Sequence, residues 1–448
     1  MKHLRPKLVL FAGVVCLLLL VVPLATQISG SYTVPWYSAP FVDTVLRRAV
    51  TESLPKGDAT PQASSRIRNI QHELTCLMRQ SQWAGGSRNA RLMADSTCAP
   101  CRYSPNRDAT RSLKHVCSMI RGKNVLVVGS SMSYFLHNIW LHMLAPFDGH
   151  PHTCLGIDVC TWHHVCLPPG VNSTLESSGR FKVAPTDEDL LRTDSALFRY
   201  VLSDTLHPSS KPWDDAFQIP TVDSSTGVRL RESFWIGRAR ASQVIVLSRP
   251  PVPAPAWTHD STSAGNWSFL HGLPIDESLT AILDTDTPRE GNLSLRQIPI
   301  LNAALHATVS VFLPSVLQTL QKIQVEPLIR AQTLLWHGNW YTYPSCDRYQ
   351  KSSTTNMVFP LGDDPWILYH NFQVHMQNVL LAELLPSFNI IYLPLSISWN
   401  RKETGASKDC LMNTMQSQDT GALTEVFMSG LAHVLLSIGE GERRASSH

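Results

Sequence analysis

Four short apolar runs, each followed by a stretch with helical spacing, constrain the fold of this chain more than any other feature. The runs are rich in β-branched residues, which is typical of strands buried in a parallel sheet. They cover residues 124–129, 243–248, 332–337 and 389–395, and the helical stretches cover 132–144, 301–323, 366–385 and 420–436. Strands that alternate with helices predict an α/β domain built on a doubly wound parallel sheet with flanking helices.

The amino-terminal end predicts a membrane anchor. Basic residues precede an unbroken apolar run from Leu8 to Ala25, which as a helix would span roughly 27 Å, close to the hydrocarbon thickness of a bilayer. We expect residues 1–7 in the cytoplasm, a transmembrane helix over 8–28 and the rest of the chain in the lumen. A cleaved signal peptide is the alternative, although its apolar region is usually about 7–15 residues long.

The rest of the chain divides into a stem and one large domain. Residues 31–70 contain four prolines and no helical periodicity, which predicts a polar spacer. Residues 76–440 are expected to form a single lumenal domain. An insertion at about 145–240, with three cysteines and many turn signals, is expected to interrupt it after the first helix.

Cysteines and glycosylation signals agree with a lumenal location. Nine cysteines lie outside the anchor, and in an oxidising compartment most of them would form disulfides, with one left over. Asn172, Asn266 and Asn292 each begin an Asn-x-Ser/Thr acceptor signal. A zinc site among the close-spaced cysteines and histidines of 154–166 is the competing interpretation, and disulfides are favoured over it.

Composition excludes two classes of protein. With 43% apolar residues the chain is not a disordered one. A net charge of +3 without any block of like charges argues against a nucleic-acid binder. The charged fraction of 16% is below the roughly 25% of ordinary soluble domains, as a membrane anchor and a buried sheet would require. No cofactor and no metal ion is indicated.

The carboxyl ends of the strands are the places to look for a site, because ligands of open α/β sheets bind there. After the first strand stands Gly129-Ser130-Ser131, at the start of a predicted helix. A serine on such a turn is exposed, and the positive helix end can stabilise an oxyanion beside it. The alternative role of Ser130 or Ser131 is to cap the helix.

Several blocks resemble one family. Arg121-Gly-Lys123 before the strand and Gly129-Ser-Ser131-Met-Ser133 after it resemble the Gly-Asp-Ser block of the plant trichome-birefringence-like and PC-esterase proteins. These belong to the SGNH (GDSL-like) hydrolase superfamily. Gly338-Asn-Trp340 with Ser345-Cys346 is similar to a later segment of that family, and Lys408-Asp409-Cys410-Leu411-Met412 is similar to its closing Asp-Cys-x-His block. The resemblance extends over roughly residues 76–436.

The resemblance implies a function. Members of the family are Golgi polysaccharide O-acetyltransferases and related esterases, which use a Ser-His-Asp mechanism through an acylated serine. By position, Ser131 would be the nucleophile and Asp409 the acid that orients the base, with Gly129 and Asn339 at the oxyanion. The expected partners are a glycan and an acyl donor. The expected location is the Golgi or another secretory-pathway membrane, as a single-pass type II protein.

The chain departs from the family at three places. Ser130 stands where the family has aspartate, Met412 stands where it has histidine, and 248–251 reads Ser-Arg-Pro-Pro where it has Asn and Gly. Proline has no N–H to offer an oxyanion. Because Met412 replaces the family's histidine, the general base must come from another part of the chain.

His337, directly after the third strand, is the first candidate for the base. His433 in the last predicted helix and His163 or His164 in the insertion are others. The alternative role of His337 is structural, as a histidine bonded to a loop carbonyl. Cys346 and Cys410 lie after the third and fourth strands and are candidates for a disulfide that joins two loops.

Two functional hypotheses follow from the sequence. One is a lumenal enzyme that moves or removes acyl groups on glycans through Ser131. The other is a catalytically inactive SGNH-like domain that binds glycan or assists a partner enzyme, with Ser131 as a helix cap only.

Overall fold

The structure is a computed structural model, and it describes ten stretches of the chain. These are residues 39–54, 67–74, 109–148, 162–167, 186–208, 220–259, 266–272, 298–339, 364–393 and 434–435.

A mixed six-stranded sheet forms the centre of the fold, so the α/β prediction is confirmed. Its strands, in sheet order, are β2 (Trp162–Val165), β3 (Ala196–Leu202), β1 (Asn124–Gly129), β6 (Val244–Leu247), β7 (Thr333–His337) and β8 (Ile391–Leu393). The expectation of an all-parallel sheet is wrong at one edge, because β2 pairs antiparallel with β3. A separate hairpin joins β4 (Thr221–Val222) to β5 (Arg229–Leu230).

The five parallel strands define where the chain reverses its direction of winding. Numbered from one to five in chain order, the parallel strands stand across the sheet in the order 2-1-3-4-5. In such sheets the crevice for a ligand lies outside the carboxyl ends of the first and third strands, where the order switches. In this chain those strands are β1 and β6.

Helices cover both faces of the sheet. The described helices are α1 (Ala39–Ser53), α2 (67–74), α3 (Ala109–Ile120), α4 (Ser131–Asp148), α5 (Asp187–Arg192), α6 (Ile236–Arg240), α7 (Ile298–Ala307), α8 (Leu313–Val325), α9 (Pro327–Arg330) and α10 (Pro365–Leu384). One large core packs α1, α7, α8 and α10 against one face. The other core packs α2, α3 and α4 against the opposite face.

The strand predictions agree closely with the structure. The first strand has the predicted bounds, and β6 and β7 are shorter than predicted by two residues and one residue. Strand β8 covers Ile391–Leu393, and the last two residues of its predicted range lie outside the described part of the chain. The three helices predicted after the first three strands are present as α4, α7 with α8, and α10. The terminal helix predicted for 420–436 lies outside the described residues, apart from 434–435.

The segment predicted as an insertion is part of the sheet. It contributes β2 and β3, and β3 lies inside the sheet directly beside β1. The sequence obscured β3 because Arg199 interrupts its apolar run, although five of its seven residues are buried. Strands β2 and β3 therefore complete this side of the sheet.

The segment predicted as a stem without helices also differs from expectation. Helix α1 buries Leu46 and Val50 in the core, and Arg47 forms an ion pair with Glu383 on α10. Helix α2 begins inside the predicted stem and continues past its end, where it buries Gln71. The side-chain amide of Gln71 donates to the carbonyl of Tyr392 at 2.8 Å and accepts from its N–H at 2.7 Å. These two bonds pair main-chain groups on the outer edge of β8, which would otherwise be open to solvent or to another strand.

One helical stretch among the described residues is long and apolar enough to cross a membrane. It is Pro299–Val325, formed by α7, a π-helical turn and α8. Most of it is buried against the sheet, as in a core helix of a globular domain. The anchor predicted for 8–28 lies outside the described residues and stays a prediction.

A disulfide joins Cys117 on α3 to Cys166 after β2, with Cα atoms 5.5 Å apart. It ties the antiparallel edge of the sheet to a helix on one face. The predicted pair, Cys346 and Cys410, lies outside the described residues.

Candidate active site

Three residues at the carboxyl ends of neighbouring strands lie in one row. They are Gly129 on β1, Ser248 directly after β6 and His337 on β7. The strand registers place the residues just before them side by side, and the N–H of Ser248 continues the ladder to Val128. Residues two positions earlier on each strand pack in the core that contains α4. Since side chains two apart share a face of the sheet, this row faces α4.

A serine of α4 contacts the histidine of this row. Ser133 Oγ lies 2.8 Å from His337 Nε2, and both side chains are fully buried. The other ring nitrogen, Nδ1, lies 2.8 Å from the carbonyl oxygen of Gly338. A carbonyl only accepts, so Nδ1 carries the proton and Nε2 accepts from the Ser133 hydroxyl. This is the polarity that a general base requires.

Small residues in the row make this contact sterically feasible. A Cβ on Gly129 would lie 2.1 Å from Ser133 Oγ and 2.7 Å from the carbonyl oxygen of Ser248. The second atom belongs to the main chain directly after β6, which the bond from the Ser248 N–H to the Val128 carbonyl holds in place. Glycine is therefore required at 129 by the close approach of Ser133.

Burial sets the charge of the imidazole. It lowers the pKa of His337 to about 4, while the hydrogen bond to the Gly338 carbonyl opposes this shift. The ring is therefore neutral at pH 7 and keeps a lone pair on Nε2. No carboxylate contacts His337 among the described residues, so the arrangement is a dyad there. Asp409, the predicted acid, lies outside those residues.

Two buried polar atoms near the dyad have no hydrogen-bond partner among the described residues. They are Ser248 Oγ and Asn339 Oδ1. The amide nitrogen of Asn339 donates to the Arg249 carbonyl at 2.8 Å and to Gln377 Oε1 at 3.1 Å. Both of its N–H groups are engaged, so the amide offers no free donor to an oxyanion in this arrangement.

Charged side chains join the ends of β3 and β6 beside the dyad. Glu232 accepts from Ser203 Oγ at 2.5 Å and from the N–H of Thr205 at 2.6 Å. Burial raises the pKa of Glu232, and the bonds from Ser203 and Thr205 act against this rise. Arg249 donates to the carbonyl of Thr205, and burial lowers its pKa to about 10.

The structure pairs a different serine with His337 than the one predicted. Ser131 is the first residue of α4 and is half-buried, whereas the imidazole contacts Ser133, two residues further on. Ser130 Oγ accepts weakly from the N–H of Met132 at 3.3 Å, in the manner of a helix cap. The missed signal is the place of Ser133 in the first turn of α4, which brings its hydroxyl close to Gly129.

Two of the other candidate bases lie away from this site. His163 and His164 are buried in β2, and His164 Nε2 lies 2.5 Å from Ser195 Oγ near the amino end of β3. His433 lies outside the described residues.

Of the glycosylation signals, only Asn266 lies within the described residues. It is exposed and accepts from the N–H of Ser268 at 3.1 Å. Asn172 and Asn292 lie outside those residues.

No group of three or more His, Cys, Asp or Glu side chains that could hold a metal ion occurs in the described part of the chain. No protein-family model matches the chain, and no match is found among curated proteins or among solved structures.

Proposed function

We propose that this protein transfers or hydrolyses acyl groups on glycans, with Ser133 as the nucleophile and His337 as the general base. The observation that carries the proposal is the 2.8 Å contact of Ser133 Oγ with the unprotonated Nε2 of His337. Its position supports the proposal too, because the contact lies at the switch point of the sheet, where α/β enzymes bind their ligands.

The proposed chemistry needs only these two side chains and an ester. The Ser133 hydroxyl gives its proton to Nε2 while Oγ attacks the acyl carbonyl carbon. The ester C–O bond breaks, and the leaving alcohol takes the proton from Nε2. A sugar hydroxyl or a water molecule then gives a proton to Nε2 and attacks the acyl carbon. The bond from the acyl carbon to Oγ breaks, and Ser133 Oγ takes the proton back from Nε2.

The glycan substrate and the SGNH-like assignment rest on the sequence resemblance. A lumenal, type II location in the Golgi or a related membrane is proposed with them. The Cys117–Cys166 disulfide supports an oxidising compartment, and the exposed Asn266 supports an accessible acceptor for N-glycosylation.

A second candidate function is a catalytically inactive domain that binds glycan or assists a partner enzyme. The complete burial of Ser133 and His337 favours it, because a substrate carbonyl must reach Oγ. The departures from the family at Ser130 and Met412 favour it as well.

Labelling with a serine-directed fluorophosphonate separates the two functions. The purified protein is treated with the probe alongside Ser133→Ala and Ser131→Ala. The first function predicts labelling of the parent and of Ser131→Ala, and loss of labelling in Ser133→Ala. A parent that does not react would leave the inactive domain as the function, and labelling that is lost only in Ser131→Ala would assign the nucleophile to Ser131.

His337→Ala tests the base in the same assay. Without a base the serine is a poor nucleophile at neutral pH, and we expect the labelling rate to fall by at least about 100-fold. An unchanged rate would remove His337 from the site.

A further inference from the structure

The turn that carries Ser133 is held by a tyrosine from the next strand. Tyr200 lies on β3, and its buried side chain packs in the core that contains α4. Its hydroxyl lies 3.0 Å from the carbonyl oxygen of Gly129 and 3.0 Å from that of Ser130. One phenol therefore bridges two successive carbonyls of the β1–α4 turn.

Each of these carbonyls already takes part in regular structure. The carbonyl of Gly129 accepts from the N–H of Ser203, as the last bond of the ladder to the β3 side. The carbonyl of Ser130 accepts from the N–H of Tyr134, as the first bond of α4. The hydroxyl of Tyr200 thus joins the end of the strand to the beginning of the helix.

The ring of Tyr200 is itself fixed against α4. It makes an edge-to-face contact with Tyr134 at 5.6 Å between ring centroids, and the ring of His137 lies 5.7 Å away. Tyr134 directly follows Ser133, so the phenol, the turn and the serine form one packed unit. A buried, hydrogen-bonded aromatic ring of this kind has little freedom to move.

We propose that Tyr200 is a positioning residue, which holds the β1–α4 turn so that Ser133 Oγ stays on His337 Nε2. Its consequence for catalysis rests on the proposed function. Positioning matters because a displacement of about 1 Å can cost a catalytic group about 100-fold in rate. The dyad has little tolerance, since Ser133 Oγ is confined between Gly129 and the imidazole.

Tyr200→Phe removes the hydroxyl and keeps the ring, and the chain offers a matched control in Tyr392→Phe. Tyr392 is equally buried, and its hydroxyl donates to Asn378 Oδ1 at 2.5 Å, but it lies on the edge strand β8. We expect Tyr200→Phe to lower the maximal labelling rate about tenfold without changing the half-saturating probe concentration. Tyr392→Phe should label like the parent.

A second measurement tests positioning without relying on acyl chemistry. The ring signals of His337 are followed by NMR against pH, assigned by their loss in His337→Gln. A hydroxyl that donates to Nε2 favours the neutral ring, so a loosened Ser133 should raise the pKa of His337 in Tyr200→Phe by about half a unit or more. In Tyr392→Phe the titration should match the parent.

The two measurements separate this proposal from the proposed function. An unlabelled parent overturns the acyl chemistry, while a shifted His337 titration in Tyr200→Phe alone still supports the positioning of the pair. Identical His337 titrations in the parent and in Tyr200→Phe would overturn the positioning role, and so would equal losses of labelling in both tyrosine variants.

Discussion

Two buried serine–histidine contacts lie at opposite ends of the same sheet. At the carboxyl end, Ser133 Oγ lies 2.8 Å from His337 Nε2. At the amino end, Ser195 Oγ lies 2.5 Å from His164 Nε2. All four side chains are fully buried or nearly so, and distance alone does not tell the two pairs apart.

The direction of the hydrogen bond distinguishes them. Thr193 Oγ1 donates its only proton to the carbonyl of Asp189 at 2.6 Å, so at 2.7 Å from Ser195 Oγ it must accept. Ser195 then donates to Thr193 and accepts from His164 Nε2–H. At the carboxyl end the serine donates to the histidine instead, because Nδ1 of His337 is committed to the Gly338 carbonyl.

A serine–histidine contact is therefore a candidate for catalysis only when the serine donates to the histidine and the pair lies where a ligand can bind. The Ser133 pair lies at the switch point of the sheet, where ligands bind. In the other pair, Ser195 directly precedes β3. Its main-chain carbonyl accepts from the N–H of Gly122, and its N–H donates to the carbonyl of Leu190. It holds a loop to the amino end of the sheet.

The largest expected effect comes from the glycine beside the carboxyl-end pair. In Gly129→Ala the new Cβ meets Ser133 Oγ and the backbone of Ser248, so we expect a loss of roughly 3 kcal/mol in the free energy of unfolding. Fluorophosphonate labelling should disappear with it. Urea unfolding and labelling measure both effects.

Gly122→Ala is the matched variant at the amino end. Its φ of +70° and the contact with Leu191 Cδ2 also disfavour a Cβ, but Leu191 is 57% exposed and can swing away. We expect a cost of about 1–2 kcal/mol, from the left-handed backbone, and unchanged labelling. A Gly129→Ala protein as stable and reactive as Gly122→Ala would contradict the close packing at the dyad.

Lowering the pH should destabilise the fold through the buried His337. The pKa of His337 is about 4 in the folded protein and 6.5 as the ordinary value, so the unfolded chain binds the extra proton first. Stability from the neutral ring is therefore complete above pH 6.5 and is lost as the pH falls to 4. From pH 7 to pH 4 the loss attributable to His337 should be about 3 kcal/mol.

The variant His337→Gln isolates this loss. Its free energy of unfolding should fall less than that of the parent over the same pH range, by that amount. Parallel pH profiles of the two proteins would mean that the imidazole titrates normally and is not held neutral by burial.

The sequence predicted most strands of the central sheet, but it did not predict β3 or α1. Runs such as 124–129 identify buried strands, because β-branched residues in a short run have few other places in a fold. Strand β3 was missed because the half-buried Arg199 interrupts its pattern, and α1 was missed because prolines dominated the interpretation of its segment. In both cases tertiary packing decided what local composition did not.

At the site, the sequence predicted Ser131 and His337, and the structure places Ser133 rather than Ser131 against the imidazole. The position of His337 follows from strand order alone, since it ends a strand near the switch point. The choice of Ser133 depends on the row formed by Gly129, Ser248 and His337, which exists only once β6 lies between β1 and β7. No local sequence pattern predicts the register between strands that are far apart in the chain.

Replacing each serine in turn compares the pairs directly. Ser133→Ala and Ser195→Ala each leave a buried imidazole nitrogen without its partner, so each should cost about 1–3 kcal/mol in the free energy of unfolding. Only Ser133→Ala should lose fluorophosphonate labelling. Loss of labelling in Ser195→Ala with stability intact would move the chemistry to the amino end of the sheet.

The smallest effect on stability gives the sharpest test of polarity. The ¹⁵N shifts of the imidazoles report which nitrogen carries the proton, and we expect Nδ1–H in His337 and Nε2–H in His164. Thr193→Val removes the acceptor of the Ser195 hydroxyl at a cost of about 1 kcal/mol. Ser195 can then turn its proton to Nε2, so His164 should shift toward the Nδ1–H form while His337 keeps its signals. If His164 already carries its proton on Nδ1 in the parent, the two pairs share one polarity, and only their places in the sheet distinguish them.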